Sequence, residues 1–212
     1  MLSVGADSVL VERQLVGGEL CCPDCGQRLS PWGCAAGRFV RAGCGGRLVR
    51  WIRVRRAICS GAAGCGRSHV LLPRFCLGRR VDVVGVIWAA LLARAAGQGW
   101  RTITRAAGRP ASTVRGWLRR FQAQAEAIRV AFAWVERRAV GGGDLDRLTP
   151  TGGVVAEAVA QIGAAVAAVR RFSGAVLNVS AAQMVAACSG GWLLAARVGR
   201  LAGLWINTSP HL

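Results

Sequence analysis

The sequence predicts a mainly α fold with a small β zinc ribbon near its N-terminal end. The expected order is zinc ribbon, three-helix helix-turn-helix unit, then helical C-terminal tail. Three observations predict this. A cysteine knuckle, Cys22-Pro-Asp-Cys25-Gly, opens residues 21–77, and a basic, β-branched stretch runs on into Cys59. Apolar residues then recur at helical spacing on both sides of Gly108-Arg109-Pro110. After residue 122 the chain becomes Ala-rich, broken by a Gly-rich connector over 141–153.

Composition limits the chemistry. The chain has 212 residues, a net charge of +18 and nine cysteines, and every one of its 28 basic residues is Arg. Residues 1–140 hold 23 of those arginines against seven acids, so the positive charge lies on the N-terminal two-thirds. That distribution points to a polyanionic partner, with a plainly solvated basic surface as the alternative. The first residues, MLSVGADSVLVERQL, lack the basic-then-apolar order of an export signal. A reducing cytoplasm, here with association to the nucleoid, makes metal ligation the expected use of so many cysteines, ahead of a disulfide scaffold.

The elements follow in order. Residues 1–20 read as an N-terminal segment. Cys22 and Cys25 supply two thiolates on a tight turn, and Gly26 lets backbone N–H groups approach sulfur. Residues 47–58, RLVRWIRVRRAI, read as one strand carrying Arg47, Arg50, Arg53, Arg55 and Arg56 along a nucleic-acid backbone. Cys59 and Cys65, flanking SGAAG, then complete a Zn2+ site with Cys22 and Cys25. The five intervening residues exceed the usual two to four, so Cys34 with Cys44 stands as the rival pair. Cys21, Cys76 and Cys188 read as small apolar fillers. His69 reads as packed or phosphate-facing, not as a ligand.

Residues 81–122 read as the DNA-binding unit. Residues 81–96 form a buried first helix, and residues 100–107 form the first helix of the pair. Gly108 stops that helix, and Pro110 cannot continue it. Ser112 or Thr113 is expected to cap the second helix. Trp117 and Phe121 read as core. Arg101, Arg105 and Arg109 are placed at phosphates. Ser112, Thr113, Arg115, Gly116 and Arg119 are placed at the entering end and exposed face of a recognition helix, where Arg addresses guanine edges. The proposed partner is double-stranded DNA.

Residues 122–139 continue as helix. The helix at 154–172 carries a stripe of Ala and Gly, which suits either self-association, or contact with a transposase, or a plain extension of the core. Residues 172–196 are free of charge and long enough to span a bilayer, but Asn178, Gln183, three serines and Gly190-Gly191 interrupt them. No membrane insertion is expected.

The knuckle, RVRRAIC, SHVLLPRF and GRPASTVRGWLRRF together resemble an uncharacterised actinobacterial family encoded beside mobile elements. Their order is also similar to the N-terminal DNA-binding part of insertion-sequence transposases. The resemblance covers residues 21–122 and implies DNA binding, with zinc at the knuckles. It is interrupted at Ala62, where a Cys-x2-Cys pair ending at Cys65 would begin. No catalytic role is expected: Asp144, Asp146 and Glu157 make a poor two-metal triad, and the histidines are only His69 and His211. The expected role is an accessory factor of a transposon or a transcription regulator. A transposase remnant without its catalytic domain and a membrane-associated scaffold are the alternatives.

Overall fold

The computed structural model describes residues 1–43, 48–140, 152–172 and 179–195. Among them are six strands and seven helices, and this corrects the expected fold class. In place of a small ribbon there is a mixed four-stranded sheet with a separate two-stranded hairpin. In place of a freestanding three-helix unit there is one continuous helical core.

The N-terminal segment is part of the sheet layer. β1 (Leu2–Val4) pairs in parallel with β6 (Ser68–Pro73), and α1 (Ser8–Val16) follows it. Asp7 caps α1 by accepting from the N–H groups of Val9 and Leu10, at 2.8 and 3.3 Å. Val11 and Leu15 turn inward against Leu2, Leu29, Leu71, Ala57 and the cysteines Cys22 and Cys59. The first knuckle therefore sits on a hydrophobic floor to which residues before the expected ribbon, Leu2, Val11 and Leu15, contribute.

The sheet order is β1-β6-β5-β2, with β5 (Arg55–Cys59) antiparallel to both β6 and β2 (Leu29–Cys34). β2 holds the edge, where Pro31 and a register shift between Pro31 and Cys34 leave no interior ladder bond missing. β3 (Arg38–Ala42) and β4 (Leu48–Ile52) form the hairpin. The single strand expected over 47–58 is thus two strands in two sheets. The reason lies in the alternation: Ile52 and Val54 are buried at even positions, Ala57 and Cys59 at odd ones. The adjacent pair Arg55-Arg56 absorbs the slip, and a one-residue slip reverses which face is apolar.

α2 (Val84–Ala95), α3 (Trp100–Ala107) and α4 (Ala111–Gln122) occur where helices were expected. Gly108 stops α3 in the left-handed conformation, with φ 60° and ψ 40°. Pro110, not Ser112 or Thr113, is the residue before the first turn of α4, and no side chain caps it. A turn at 123–124 separates α4 from α5 (Ala125–Ala139), which interrupts the helix expected to run on. α5 lies along α6 (Val154–Phe172), and α2 touches α3, α4, α6 and α7 (Ala181–Cys188). Ile87, Leu91, Val114, Trp117, Phe121, Phe132, Ile162 and Val185 belong to one cluster. The Ala-rich helix is therefore an extension of the core. α5 packs closely on α6, whose Ala158, Ala165 and Ala168 are all fully buried.

The uncharged segment 172–196 contains α7, and some of its described polar residues have local duties. Ser180 and Gln183 form a reciprocal capping box at the start of α7. No helix among the described residues is long and apolar enough to cross a membrane. Residues 173–178 and 196–212 lie outside the described residues, as do the connector residues 141–151, Asp144 and Asp146 among them, and His211.

Candidate metal centre and basic helix face

Four thiols converge where the sheet meets the knuckles. The sulfurs of Cys22, Cys25, Cys59 and Cys65 all lie within 4.8 Å of one another and can hold a metal ion. Cys22 Sγ is 3.6 Å from Cys65 Sγ, and Cys25 Sγ is 3.4 Å from Cys59 Sγ. A tetrahedral ion about 2.3 Å from each sulfur would hold the sulfurs about 3.8 Å apart. A disulfide would bring them to about 2.05 Å. The observed spacing fits shared coordination.

The two knuckles are built alike although their spacings differ. In the first, Cys22 N–H donates to Gln27 O and Gly26 N–H donates to Cys22 O, at 2.7 and 2.9 Å. In the second, Cys59 N–H donates to Arg67 O and Gly66 N–H to Cys59 O, at 2.9 and 3.1 Å. Gly26 and Gly66, each following the second cysteine, have φ of 75° and 69°. The additional residues of the second knuckle buckle into a turn of their own, closed by Gly64 N–H donating to Gly61 O. The long Cys59–Cys65 spacing is accommodated there, so Ala62 does not disrupt the site. Asp24 and Arg67 join the two knuckles by an ion pair of 3.1 Å.

The thiols differ in acidity. Backbone N–H donation at Gln27, then the Cys59 thiol, pushes Cys25 down to about 6. Burial pushes Cys22 up to about 12 and also raises Cys59. One thiolate is thus ready in the free protein, while the buried thiols lose their protons when a cation replaces them. His69 was expected to be packed, and it is buried, with its Nε2 3.3 Å from Cys22 Sγ. Cys22, Asp24 and His69 also lie close enough to share an ion. That set offers three donors against four, and its Asp24 is already paired with Arg67. The sequence signal for His69 was its place on β6, the strand that pairs with the cysteine-bearing β5.

The rival cysteine Cys34 is exposed on β2, where Arg55 Nη1 lies 3.7 Å from its sulfur. It takes no part in the cluster. Cys44 lies outside the described residues. Cys76 and Cys188 are buried in separate cores, as fillers should be, and burial pushes Cys188 up to about 12.

On the helix pair, the structure separates free arginines from occupied ones. Arg101 and Arg105 on α3, and Arg115 and Arg119 on α4, are exposed, as is Ser112; Thr113 is half-buried. Arg94, Trp100, Ser112, Arg115 and Arg119 line a groove of about 540 Å³ with no acid among its described lining residues. Two guanidinium groups approach the Trp100 ring, those of Arg101 and Arg115, at 5.2 and 5.3 Å from its centroid.

Two expected contact residues, Arg109 and Arg55, need correction. Arg109 is buried and donates to Asp82, to the carbonyls of Ala107 and Gly108, and to Gly43 O. It fixes the turn between α3 and α4 and cannot reach a phosphate. Gly116 is nearly covered by Arg120, whose Nη1 would lie 2.9 Å from an added Cβ, yet it still lines the groove. Arg55 is held by Glu12 at 2.7 Å and by Gly33 O. Arg53 remains exposed beyond the end of β4. Asp82 was overlooked as a site residue: it binds Arg109 and Arg41 together, the latter at 3.0 Å.

Searches against protein-family models, curated proteins and solved structures find no match for this chain.

Proposed function

We propose that this chain binds duplex DNA through α3 and α4, and that Cys22, Cys25, Cys59 and Cys65 hold a structural zinc ion. A soft four-thiolate set at tetrahedral spacing favours zinc among the common cations. The observation that carries the DNA reading is the groove of Arg94, Arg115 and Arg119 around an exposed Trp100, without an acid among its described lining residues, with Arg101 over the Trp100 ring and Arg105 exposed on the same helix. Arg115 and Ser112 lie in the first turns of α4, where a helix entering a major groove meets base edges. Arg101 and Arg105 lie on the helix that would cross the backbone. Zinc has no chemical step here. It would join two knuckles whose floor is the N-terminal core. A role in transposition or transcription follows from the motif resemblance and rests on it.

Two variants test the DNA reading side by side. Arg115→Ala should cost about 1–3 kcal/mol on a selected site and little on scrambled duplex, whereas Arg105→Ala should weaken both alike. Affinity of the intact protein should fall steeply with salt, as phosphate contacts release counterions. A flat salt response removes nucleic acid as the partner. Equal losses on both DNAs for Arg115→Ala reduce α4 to a basic face that reads no bases.

A further inference from the structure

The β3–β4 hairpin has one face that the packing does not explain. Its register pairs Phe39 with Trp51 and Arg41 with Val49 on one side. The alternating pairs, Arg38 with Ile52 and Val40 with Arg50, belong to the other side, where Val40 and Ile52 are buried with Val54, Leu72 and Cys76. The first side is left in solvent: Phe39 is 59 %, Trp51 56 % and Val49 55 % exposed. A solvated face of a hairpin ordinarily carries polar side chains. Here it carries an aromatic pair.

That pair is held in place. The rings of Phe39 and Trp51 meet edge-on, with centroids 4.7 Å apart and planes at 63°. Trp51 also lies hard against the backbone of Gly37, where an added Cβ would fall 2.1 Å from its Cζ2. Only glycine leaves room for the indole in this position. The segment of chain that carries the pair is basic: residues 25–81 contain twelve Arg and no Asp or Glu, although Arg41, Arg55 and Arg67 are paired with Asp82, Glu12 and Asp24. Exposed Arg53 stands two residues beyond Trp51. A fixed, exposed aromatic surface within an acid-free basic segment has the two attributes of a site for unpaired bases, which stack on aromatic rings while arginines track the phosphates.

We infer that the Phe39–Trp51 face of the hairpin binds single-stranded nucleic acid by stacking unpaired bases. This site is separate from α4, and the two readings share only a polyanionic partner. The hairpin and the helix pair are nevertheless tied together: Arg109 donates from the α3–α4 turn to Gly43 O, just past β3, and Asp82 bridges Arg109 to Arg41 of β3. A protein with both sites would prefer DNA in which duplex adjoins a single strand.

The test is binding of a labelled oligothymidylate of about 16 nucleotides, and of a plain duplex, by the full metal-loaded chain. Trp51→Ala should weaken oligothymidylate binding about fivefold or more and leave duplex affinity unchanged, while Trp51→Phe retains most of it. Gly37→Ala, which displaces the indole without removing it, should reproduce the loss. Equal metal content and unchanged melting of Trp51→Ala would show that the fold is intact. If that variant does not fold, the Gly37→Ala and Trp51→Phe pair decides the matter alone. Unchanged oligothymidylate affinity in Trp51→Ala and Gly37→Ala overturns the inference. So does an aromatic-dependent self-association without any effect on the single strand. Single-strand binding that depends on Trp51, in a protein whose Arg115→Ala variant loses equally on the selected and the scrambled duplex, would refute the α4 reading and leave this one standing.

Discussion

Asp82→Ala should be among the most damaging single substitutions in this chain. Asp82 is 2 % exposed and its partner Arg109 is 1 % exposed in its side chain, so their charges compensate each other with almost no help from water. Removing the carboxylate leaves the Arg109 guanidinium buried among the carbonyls of Gly43, Ala107 and Gly108 without a counter-charge. Breaking a buried pair in this way costs about 3–5 kcal/mol. In a domain of this size about 2–4 °C of melting temperature accompanies each kcal/mol, which gives a drop of about 6–20 °C. Arg41→Ala provides the internal comparison. Arg41 shares the same carboxylate, but its side chain is 33 % exposed, so solvent screens it and Asp82 keeps Arg109. Its loss should cost about 1 kcal/mol or less. The assay is thermal melting of both variants at equal protein concentration with metal present. Equal shifts for the two, or a drop below about 2 °C for Asp82→Ala, would refute the reasoning that this triad joins the hairpin to the helix pair.

Two further outcomes follow. Cys59→Ser should release the metal while Cys34→Ser retains it, as read by metal analysis of the purified variants; the reverse pattern would remove the four-sulfur assignment. Phe132→Ala empties a fully buried position of α5 in the helical core, and denaturant melting should show a loss of about 3–5 kcal/mol. A loss under about 1 kcal/mol would mean that residues 125–172 do not share the core of α2–α4.

Local chemistry was legible in the sequence where a single residue type enforces it. Gly108 had to stop α3, and it does so in the left-handed region. The Cys22–Cys25 knuckle and the choice of Cys59 and Cys65 over Cys34 could be read from a strand delivering one cysteine to a Gly-rich loop. Trp117 and Phe121 were placed in the core by helical spacing alone, and both are buried. What was illegible depends on partners distant in the chain. β1 is three residues long, and nothing local marks LSV as a strand until β6 arrives 66 residues later to pair with it. β2, with Pro31 and Gly33 inside it, is a poor strand by propensity and exists because β5 offers an edge.

Arg109 shows the same limit at the level of one side chain. By sequence it is one of several arginines in a basic turn, indistinguishable from Arg101 or Arg105, and spacing alone assigns all three to phosphates. Its fate is decided by Asp82, 27 residues earlier, at the end of a 57-residue run without acids. That isolation is the clue the sequence did carry. An acid standing alone just before an apolar helix, in a chain so rich in Arg, has strong reason to be buried with a cation. Once Asp82 claims Arg109, the turn between α3 and α4 is locked to the hairpin, and the arginines left outside the lock become the candidates for a partner. Arg94, Arg101, Arg105, Arg115 and Arg119 are among that remainder on α2–α4, and Arg53 belongs to it beside the hairpin. The buried ion pair thus divides the basic residues into those that hold the fold and those free to bind.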